Sequence, residues 1–288
     1  MLTLTGRHPA GLLPMPDFPV PSTPLRACRR VLCVTALALW LAACAHTTPA
    51  PRNPLAEWVP SENHDQRRPM LIVLHFTDQE SVQQSLDTLR SRSKAIKWNF
   101  TKFLVGKDGR LYQLVADQDR AWHAGAGRWG TITDVNSASI GIEIDNNGHS
   151  PYPQAQIDSL IVLLGDLTRR LRIPPSQIIG HSDLAPARKV DPGPLFPWRQ
   201  LAEAGFGIWP DAAVVAAPDG FDPWLALQAL GYSLQDRPAT VRAFHHRFRG
   251  REGVELDEED RRILYALTRT SGESAPAVAR PAAAEADP

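Results

Sequence analysis

The order of apolar and polar positions along the chain predicts strands and helices in alternation. Residues 70–76, MLIVLHF, are continuously apolar up to a histidine, which is typical of a strand buried on both faces. The segment SIGIEID alternates instead, so its isoleucines fall on one face. The other face of this predicted strand carries Ser139, Gly141, Glu143 and Asp145. A short strand, QIIG, is predicted over residues 177–180.

Two segments have a helical period. SVQQSLDTLRSR places Val82, Leu86 and Leu89 on one stripe, and residues 154–171 form a longer helical pattern that ends before two prolines. KFLVGKDGRLYQLV is two strand-like runs around Asp108-Gly109, which predicts a hairpin. The pattern indicates an α/β body with a mixed central sheet flanked by helices, over residues 61–205.

The character of the chain changes after residue 205. Residues 206–270 contain three short amphipathic helical patterns, PWLALQALGY, RPATVRAFHHRFR and DEEDRRILYALTR, separated by turn residues. We expect a separate small helical domain here, with His245 and His246 on a solvated face. Residues 271–288 are poor in large apolar side chains, which predicts a disordered tail.

Composition narrows the functional classes. The chain has 288 residues, 43% of them hydrophobic, and its 31 basic and 31 acidic residues give a formal net charge of zero. This length accommodates one good-sized domain and a small one. No Lys/Arg run of the kind that contacts a nucleic-acid backbone is present, so nucleic-acid binding is not expected.

The N-terminal segment has the features of an export signal. Arg26, Arg29 and Arg30 precede the apolar run VLCVTALALWLAAC, which is too short for a membrane span and suits a signal-peptide core. Its end resembles the lipobox of bacterial lipoproteins, which predicts a signal peptide over residues 1–43 and a lipid-modified Cys44. An ordinary secretory signal is the alternative. Residues 44–60 are rich in proline and predict a semi-rigid tether.

Lipid on Cys44 would anchor the protein to a membrane. The residue after Cys44 is Ala45, whereas an aspartate at this position commonly retains bacterial lipoproteins at the inner membrane. We therefore expect the protein at the bacterial outer membrane, lipid-anchored and facing the periplasm.

Three side chains are candidates for one zinc site. His75 ends a predicted strand and His181 follows Gly180 at the end of another, so both imidazoles can lie at one sheet edge. The loop GHSDLAPARKVDPG contains Pro186 and Pro192, which favour turns that could fold Asp191 back beside His181. Zinc in catalytic sites takes three such protein ligands. Considered alone, His75 would more often be a hydrogen-bonded core histidine.

Other polar residues surround these candidates. Glu143 lies on the polar face of its strand, and Lys189 is one residue from Asp191, hence on the same side of an extended segment. His123, in RAWHAGAG, occupies a Gly-flanked loop that favours contact with a ligand over a bond to metal.

The motifs together resemble a known family. VLHFT, DGRLYQLVADQDRAWHAG, SIGIEIDNNG and GHSDLAPARKVDPGPLFPW, over about residues 68–200, are similar to the type 2 N-acetylmuramoyl-L-alanine amidases, zinc enzymes that share a fold with phage T7 lysozyme and peptidoglycan recognition proteins. The resemblance implies one Zn²⁺ held by His75, His181 and Asp191. It also implies that Glu143 is the catalytic carboxylate and that Lys189 is the cation beside the scissile carbonyl. Trp122 and His123 are the implied substrate-binding residues.

The resemblance extends to the rest of the chain. Residues 206–270 resemble the three-helix peptidoglycan-binding domain, and the combination with a lipobox is similar to the outer-membrane lipoprotein amidases of the AmiD kind. One segment departs from the family pattern. Relatives often carry a SAHY-like sequence before the hairpin, where this chain reads NFTKFLV, with Lys102 and Phe103 at the corresponding places.

The implied reaction is hydrolysis of the amide between N-acetylmuramic acid and L-alanine of peptidoglycan stem peptides, in cell-wall turnover. The implied partners are peptidoglycan and muropeptides, and we expect a monomer. Two alternatives stay open. The same fold serves recognition proteins that bind peptidoglycan without cutting it, and the same metal chemistry serves zinc peptidases that act on stem-peptide bonds.

Overall fold

The computed structural model describes residues 53–60, 64–66, 69–91, 101–210 and 215–270. The predictions of a signal peptide over 1–43, of lipid at Cys44 and of a disordered tail over 271–288 lie outside the described residues. In this part of the chain, no helix combines the length and the apolar character needed to cross a membrane.

Eight strands are described, and their bounds are β1 Glu57–Trp58, β2 His64–Gln66, β3 Leu71–Phe76, β4 Phe103–Val105, β5 Leu111–Gln113, β6 Asp119–Ala121, β7 Ser139–Ile144 and β8 Ile178–Gly180. The helices of the same residues are α1 Val82–Arg90, α2 Val135–Ala138, α3 Gln154–Leu171, α4 His181–Leu184, α5 Trp198–Glu203, α6 Pro223–Leu230, α7 Arg237–Phe248 and α8 Glu258–Thr270, with a 3₁₀ turn at Pro175–Gln177.

Six of the strands form a mixed sheet in the order β1-β5-β4-β7-β3-β8, while β2 and β6 pair separately. Strands β4, β7, β3 and β8 run parallel, and β5 runs antiparallel to β4. The β4–β5 connection is the predicted hairpin, in which Gly109 adopts a left-handed φ of 82° and its N–H donates to the Gly106 carbonyl at 2.9 Å. The predicted mixed sheet is confirmed.

Helix α3 covers one face of this sheet. Its apolar stripe of Ile157, Leu160 and Leu164 packs on the isoleucines of β7 and on the side chains of β3 that point the same way. The face was readable from the alternating sequence of β7, because every second residue of a strand points to the same side. The predicted helix over 154–171 is confirmed at both ends.

Helices α6–α8 contribute to the core on the opposite face. Leu71, Val73 and Ile179 of the sheet belong to the same buried cluster as Leu227, Phe244 and Leu264 of these helices. The described residues all belong to one compact unit. The helical segment therefore shares a hydrophobic core with the sheet, and its independence as a domain stays a prediction.

Two histidines of this segment differ from expectation. His245 and His246 are 0% and 3% exposed, so they do not lie on a solvated face. Each instead meets a carboxylate: His245 Nε2 lies 2.8 Å from Asp260 Oδ2, and His246 Nε2 lies 2.6 Å from Glu252 Oε1. Helical periodicity shows which residues share a face, but both faces of α7 contain buried residues because the helix lies between the sheet and its neighbours.

The end of the predicted tether also joins the fold. Glu57–Trp58 forms β1 and pairs with β5. Just before it, the buried Asn53 side chain donates from Nδ2 to Asp166 Oδ2 of α3 at 2.7 Å, and its backbone N–H donates to Gln113 Oε1 at 2.8 Å. The chain is thus held to the body from Asn53 onwards.

Candidate functional site

The candidate site lies at the carboxyl ends of three adjacent parallel strands, β7, β3 and β8. The register places His75 of β3 directly opposite Glu143 of β7. On the other side, Leu74 pairs with Gly180, so His181 begins helix α4 at the same edge. Ligands of open α/β sheets bind at this kind of edge because loops and side chains converge there.

His75, His181 and Asp191 meet in a buried triangle. His75 Nδ1 lies 2.9 Å from His181 Nδ1 and 3.0 Å from Asp191 Oδ2, and the third side of the triangle is 2.9 Å. The folded-back loop brings Asp191 there, since the backbone N–H of Ser182 donates to the Asp191 carbonyl at 2.9 Å. All three side chains are at least nine-tenths buried. The sequence-predicted ligand set is therefore assembled.

The charges of the triangle suit a cation. Burial, together with the charge of His181, lowers the pKa of His75 to about 4, so its imidazole is neutral at neutral pH. Burial by itself would raise the pKa of Asp191, but the charge of His181 and hydrogen bonds with both imidazoles hold it well below its usual range. His75 thus offers a neutral nitrogen and Asp191 an ionised oxygen, the forms that bind metals.

The hydrogen bonds of His181 test whether a metal fits. Its Nε2 lies 2.9 Å from the Ala124 carbonyl, which can only accept, so Nε2 carries a proton, and in the neutral imidazole Nδ1 presents a lone pair. His181 Nδ1 faces the Asp191 carboxylate oxygen at 2.9 Å, and either a proton on Nδ1 or a metal ion bound to both atoms satisfies this contact. Two imidazoles and one carboxylate form a donor set that Zn²⁺ takes, at about 2.0–2.2 Å from each atom. The residues fit a metal ion of this kind.

Glu143 lies beside the triangle with spare hydrogen-bonding capacity. Its side chain is 5% exposed, and Oε2 has no hydrogen-bond partner among the described residues. Burial raises the pKa of Glu143 well above its usual value, and the charge of Asp191 adds to this effect, while Lys189 opposes it. A buried carboxyl whose oxygen meets no donor is suited to accept a proton from a bound molecule.

Lys189 is half-buried in the loop that ends at Asp191, and its backbone N–H donates to the Ala185 carbonyl at 2.9 Å. Its ammonium charge lowers the pKa of both His75 and Glu143. The side chain is therefore within electrostatic range of the cluster, and its place beside a scissile carbonyl stays a prediction.

The two residues predicted to bind substrate lie in different surroundings. Trp122 is half-buried, with the guanidinium carbon of Arg120 3.8 Å from its ring centroid. His123 is 3% exposed and lies behind His75, with Nδ1 2.9 Å from His75 Nε2. The substrate contact of Trp122 stays a prediction. For His123, the structure gives a position next to a candidate ligand and away from solvent.

A family model described as N-acetylmuramoyl-L-alanine amidase matches residues 65–194. Among curated proteins, N-acetylmuramoyl-L-alanine amidase AmiD of Escherichia coli is 40% identical over 153 residues, which is 49% of this chain and 55% of AmiD. The 1,6-anhydro-N-acetylmuramyl-L-alanine amidase AmpD of Enterobacter cloacae is 41% identical over 98 residues, which is 34% of this chain and 52% of AmpD. The matches span about half the length of these curated relatives.

The solved structures extend the match. The complex of E. coli AmiD with anhydro-N-acetylmuramic acid-L-Ala-D-gamma-Glu-L-Lys is 32% identical to this chain, with a TM-score of 0.64, over 78% of this chain and 94% of the AmiD chain. The chain belongs to the N-acetylmuramoyl-L-alanine amidase family. The resemblance drawn from the four sequence motifs is confirmed.

This member of the amidase family departs from the SAHY-like pattern at a buried position. Lys102 is 0% exposed, and its Nζ donates to the Ala116 carbonyl. Phe103, the next residue, begins β4 and belongs to the core under α3. Both replacements therefore lie inside the body, and neither side chain reaches the solvent.

Sequence reasoning did not identify three residues around the amidase-family site. Ser139 Oγ lies 3.1 Å from His123 Nε2, the Ala124 carbonyl meets His181, and Asn136 Oδ1 accepts from the backbone N–H groups of His123 and Ala124. One signal was present, because Ser139 shares the polar face of β7 with Glu143. Nothing in the sequence marks a backbone carbonyl such as that of Ala124.

Proposed function

We propose that this protein is a zinc-dependent N-acetylmuramoyl-L-alanine amidase that hydrolyses the amide between N-acetylmuramic acid and L-alanine of peptidoglycan stem peptides. The observation that carries the proposal is the buried triangle of His75, His181 and Asp191 beside the Glu143 carboxyl, whose Oε2 has no hydrogen-bond partner within the described part of the chain. The muropeptide in the AmiD complex supports a substrate of the same chemical class.

His75 and His181 would hold one Zn²⁺ through Nδ1, and Asp191 through Oδ2. Zinc bound there would polarise a substrate carbonyl and lower the pKa of a coordinated water to about 7. Strand β3, the start of α4 and the loop hydrogen bond to Asp191 hold the three side chains in position.

Glu143 would act as general base and then as general acid. Its carboxylate takes a proton from the attacking water and delivers it to the leaving amine of L-alanine. The raised pKa of Glu143 suits both steps, because proton transfer in each direction is efficient when the pKa of the catalyst approaches the working pH. Burial of the carboxyl supplies that shift.

Lys189 would stabilise the oxyanion that forms when the carbonyl is attacked. Its ammonium group is already within electrostatic range of Glu143 and His75. Removal of one such donor from an oxyanion site typically costs about 3 kcal/mol of transition-state stabilisation. Lys189 therefore contributes to the rate and is not needed to hold the metal.

Digestion of purified sacculi, followed by mass analysis of the products, tests the reaction. We expect free stem peptides that begin with L-alanine and glycan strands without peptides. Shortened stems still attached to the glycan would favour the zinc peptidase, and unchanged material would favour a recognition protein. The metal-depleted chain is the matched control, because the proposed amidase loses activity on zinc removal and regains it when zinc is restored.

We also propose that the protein acts at the periplasmic face of the outer membrane, as a monomer anchored through lipid on Cys44. The sequence around Cys44 and the absence of aspartate at Ala45 support this location. Several acyl chains on one cysteine bind a membrane firmly, whereas a single chain binds reversibly. The helical segment would add a contact with the polymer and raise the local substrate concentration.

Changing Cys44 to Ala is expected to release the protein from the membrane fraction or to leave it as an unprocessed precursor. The zinc site should be unaffected, because the described body begins at Asn53 and contains all three candidate ligands. Fractionation of cells and the mass of the N-terminal peptide measure the outcome. A wild-type protein found in the soluble periplasm without lipid mass would favour ordinary secretion.

A further inference from the structure

His123 is buried behind His75, a candidate zinc ligand. We propose that His123 is a positioning residue, which together with Ser139 fixes the tautomer of His75, while the next residue, Ala124, fixes that of His181. The inference rests on the proposed metal site. It assigns the segment His123-Ala124 to holding both imidazole ligands with their Nδ1 lone pairs directed to the ion.

The first step concerns Ser139. Its hydroxyl has one proton, and Oγ lies 2.6 Å from the Val135 carbonyl, which can only accept. The hydroxyl must donate to that carbonyl, since two oxygens without a proton between them would repel at this distance. Ser139 Oγ therefore accepts from His123 Nε2 at 3.1 Å. His123 carries its proton on Nε2 and presents a lone pair on Nδ1.

The second step derives the tautomer of His75 from that of His123. His123 Nδ1 lies 2.9 Å from His75 Nε2, so the His123 lone pair accepts and His75 donates. His75 then carries its proton on Nε2, and its Nδ1 is left with a lone pair toward Asp191 and His181. Hydrogen bonds are donated from His75 to His123, from His123 to Ser139, and from Ser139 to the Val135 carbonyl. We call this chain of three hydrogen bonds the relay. Each hydrogen bond has one donor and one acceptor.

The second imidazole is fixed by the neighbouring residue. The Ala124 carbonyl accepts from His181 Nε2 at 2.9 Å and from Arg188 Nη2 at 2.7 Å. Asn136 holds the segment, because its Oδ1 accepts from the backbone N–H of His123 at 3.0 Å and of Ala124 at 2.9 Å. The buried side-chain amide of Asn136 therefore sets the position of both residues that contact the imidazole ligands, His123 and Ala124.

The space for the His123 ring comes from Gly141. A Cβ added at this glycine would lie 2.4 Å from His123 Cγ, which no real contact allows. Gly141 occupies the same face of β7 as Ser139 and Glu143, so the absence of a side chain there admits the imidazole. This observation is independent of the hydrogen bonds and points to the same ring position.

Long-range ¹H–¹⁵N correlation spectra of the full chain test the tautomers directly. In the zinc-bound protein we expect His75, His123 and His181 all to carry a proton on Nε2. For His123 we expect the same tautomer when zinc is removed. A proton on Nδ1 of His123 would overturn the relay.

Zinc affinity, measured by competition with a chromogenic chelator, tests the consequence. His123→Phe, which keeps a ring without an acceptor, and Ser139→Ala, which removes the acceptor for His123, should each weaken zinc binding about 10–100-fold. His123→Asn should recover most of the affinity, because its amide oxygen takes the place of Nδ1. The absorption spectrum of the cobalt-substituted protein should shift in the two weakened variants and stay close to wild type in His123→Asn.

Ile140→Val is the matched control, since Ile140 is adjacent in β7 but its side chain packs in the core on the other face. It should bind zinc within about twofold of wild type, although it removes a buried methyl group from the core. Unchanged zinc affinity in His123→Phe and Ser139→Ala would overturn the relay alone. A wild-type chain that takes up no zinc would overturn the relay and the proposed function together.

Discussion

Glu143→Gln is expected to lower the rate of muramoyl-amide hydrolysis about 10²–10⁴-fold and to leave the zinc content at the wild-type level. The substitution keeps the shape of the side chain, which is 5% exposed and fixed on β7 opposite His75. It removes the only function that the proposal assigns to Glu143, because an amide at neutral pH neither takes a proton from water nor passes one to the leaving amine. Within the described part of the chain, the hydrogen bonds of the triangle join His75, His181 and Asp191 to one another and do not include Glu143. The substitution should therefore leave the ligands in place.

Asp191→Ala provides the contrast for this measurement. It removes one of the three metal-binding atoms, so zinc content and hydrolysis should fall together. Turnover of a soluble muropeptide and zinc per chain are measured for both variants. Near-normal turnover in Glu143→Gln would remove Glu143 from the proton-transfer role, and loss of its zinc would place it among the groups that maintain the metal site.

The parts of the site that follow strand periodicity were predictable from sequence. His75 and Glu143 lie at the carboxyl ends of strands whose patterns are unambiguous, and the parallel register brings them opposite each other. Asp191 was predictable for a different reason. Prolines on both sides restrict the loop to turns, and a loop that folds back from His181 brings the aspartate to the same edge.

The position of His123 was not predictable in the same way. A histidine in a Gly-flanked loop has no periodicity, so the sequence indicates accessibility to a ligand and nothing about the direction of the ring. Its direction depends on Asn136, which is thirteen residues away and holds its backbone, and on the space that Gly141 leaves. These contacts join separate elements, and one sequence carries no record of them beyond the polar face of β7.

The helical segment shows a similar limit. The amphipathic patterns of residues 206–270 predicted helices correctly, and α6, α7 and α8 follow them closely. Amphipathicity indicates that a face is buried without indicating what covers it. In the structure the apolar faces meet the sheet around Val73 and Ile179, which joins the segment to the body that holds the candidate site.

A buried ion pair connects the helical segment to the candidate site. Arg247 of α7 and Asp183 of α4 are 2% and 1% exposed, and Arg247 Nη1 lies 2.8 Å from Asp183 Oδ2. The same carboxylate accepts from the Tyr232 hydroxyl at 2.6 Å and from the Gly180 backbone N–H at 2.8 Å. Gly180 and Asp183 flank His181, so the pair supports the turn that presents a candidate zinc ligand.

Arg247→Met is therefore expected to lower the free energy of unfolding by about 3–5 kcal/mol, because it leaves the Asp183 charge buried without its cation. Arg199→Met is the matched control: Arg199 pairs with Glu203 at 2.9 Å on the surface, where the loss should be about 0–1 kcal/mol. The double change Arg247→Met with Asp183→Asn should recover part of the stability, since it removes the unpaired charge. Chemical denaturation measures the stability of all three variants.

Cleavage of a small soluble muropeptide should also fall in Arg247→Met, because the His181 turn loses its support. A loss below about 1 kcal/mol, with soluble cleavage unchanged, would mean that this ion pair does not support the His181 turn.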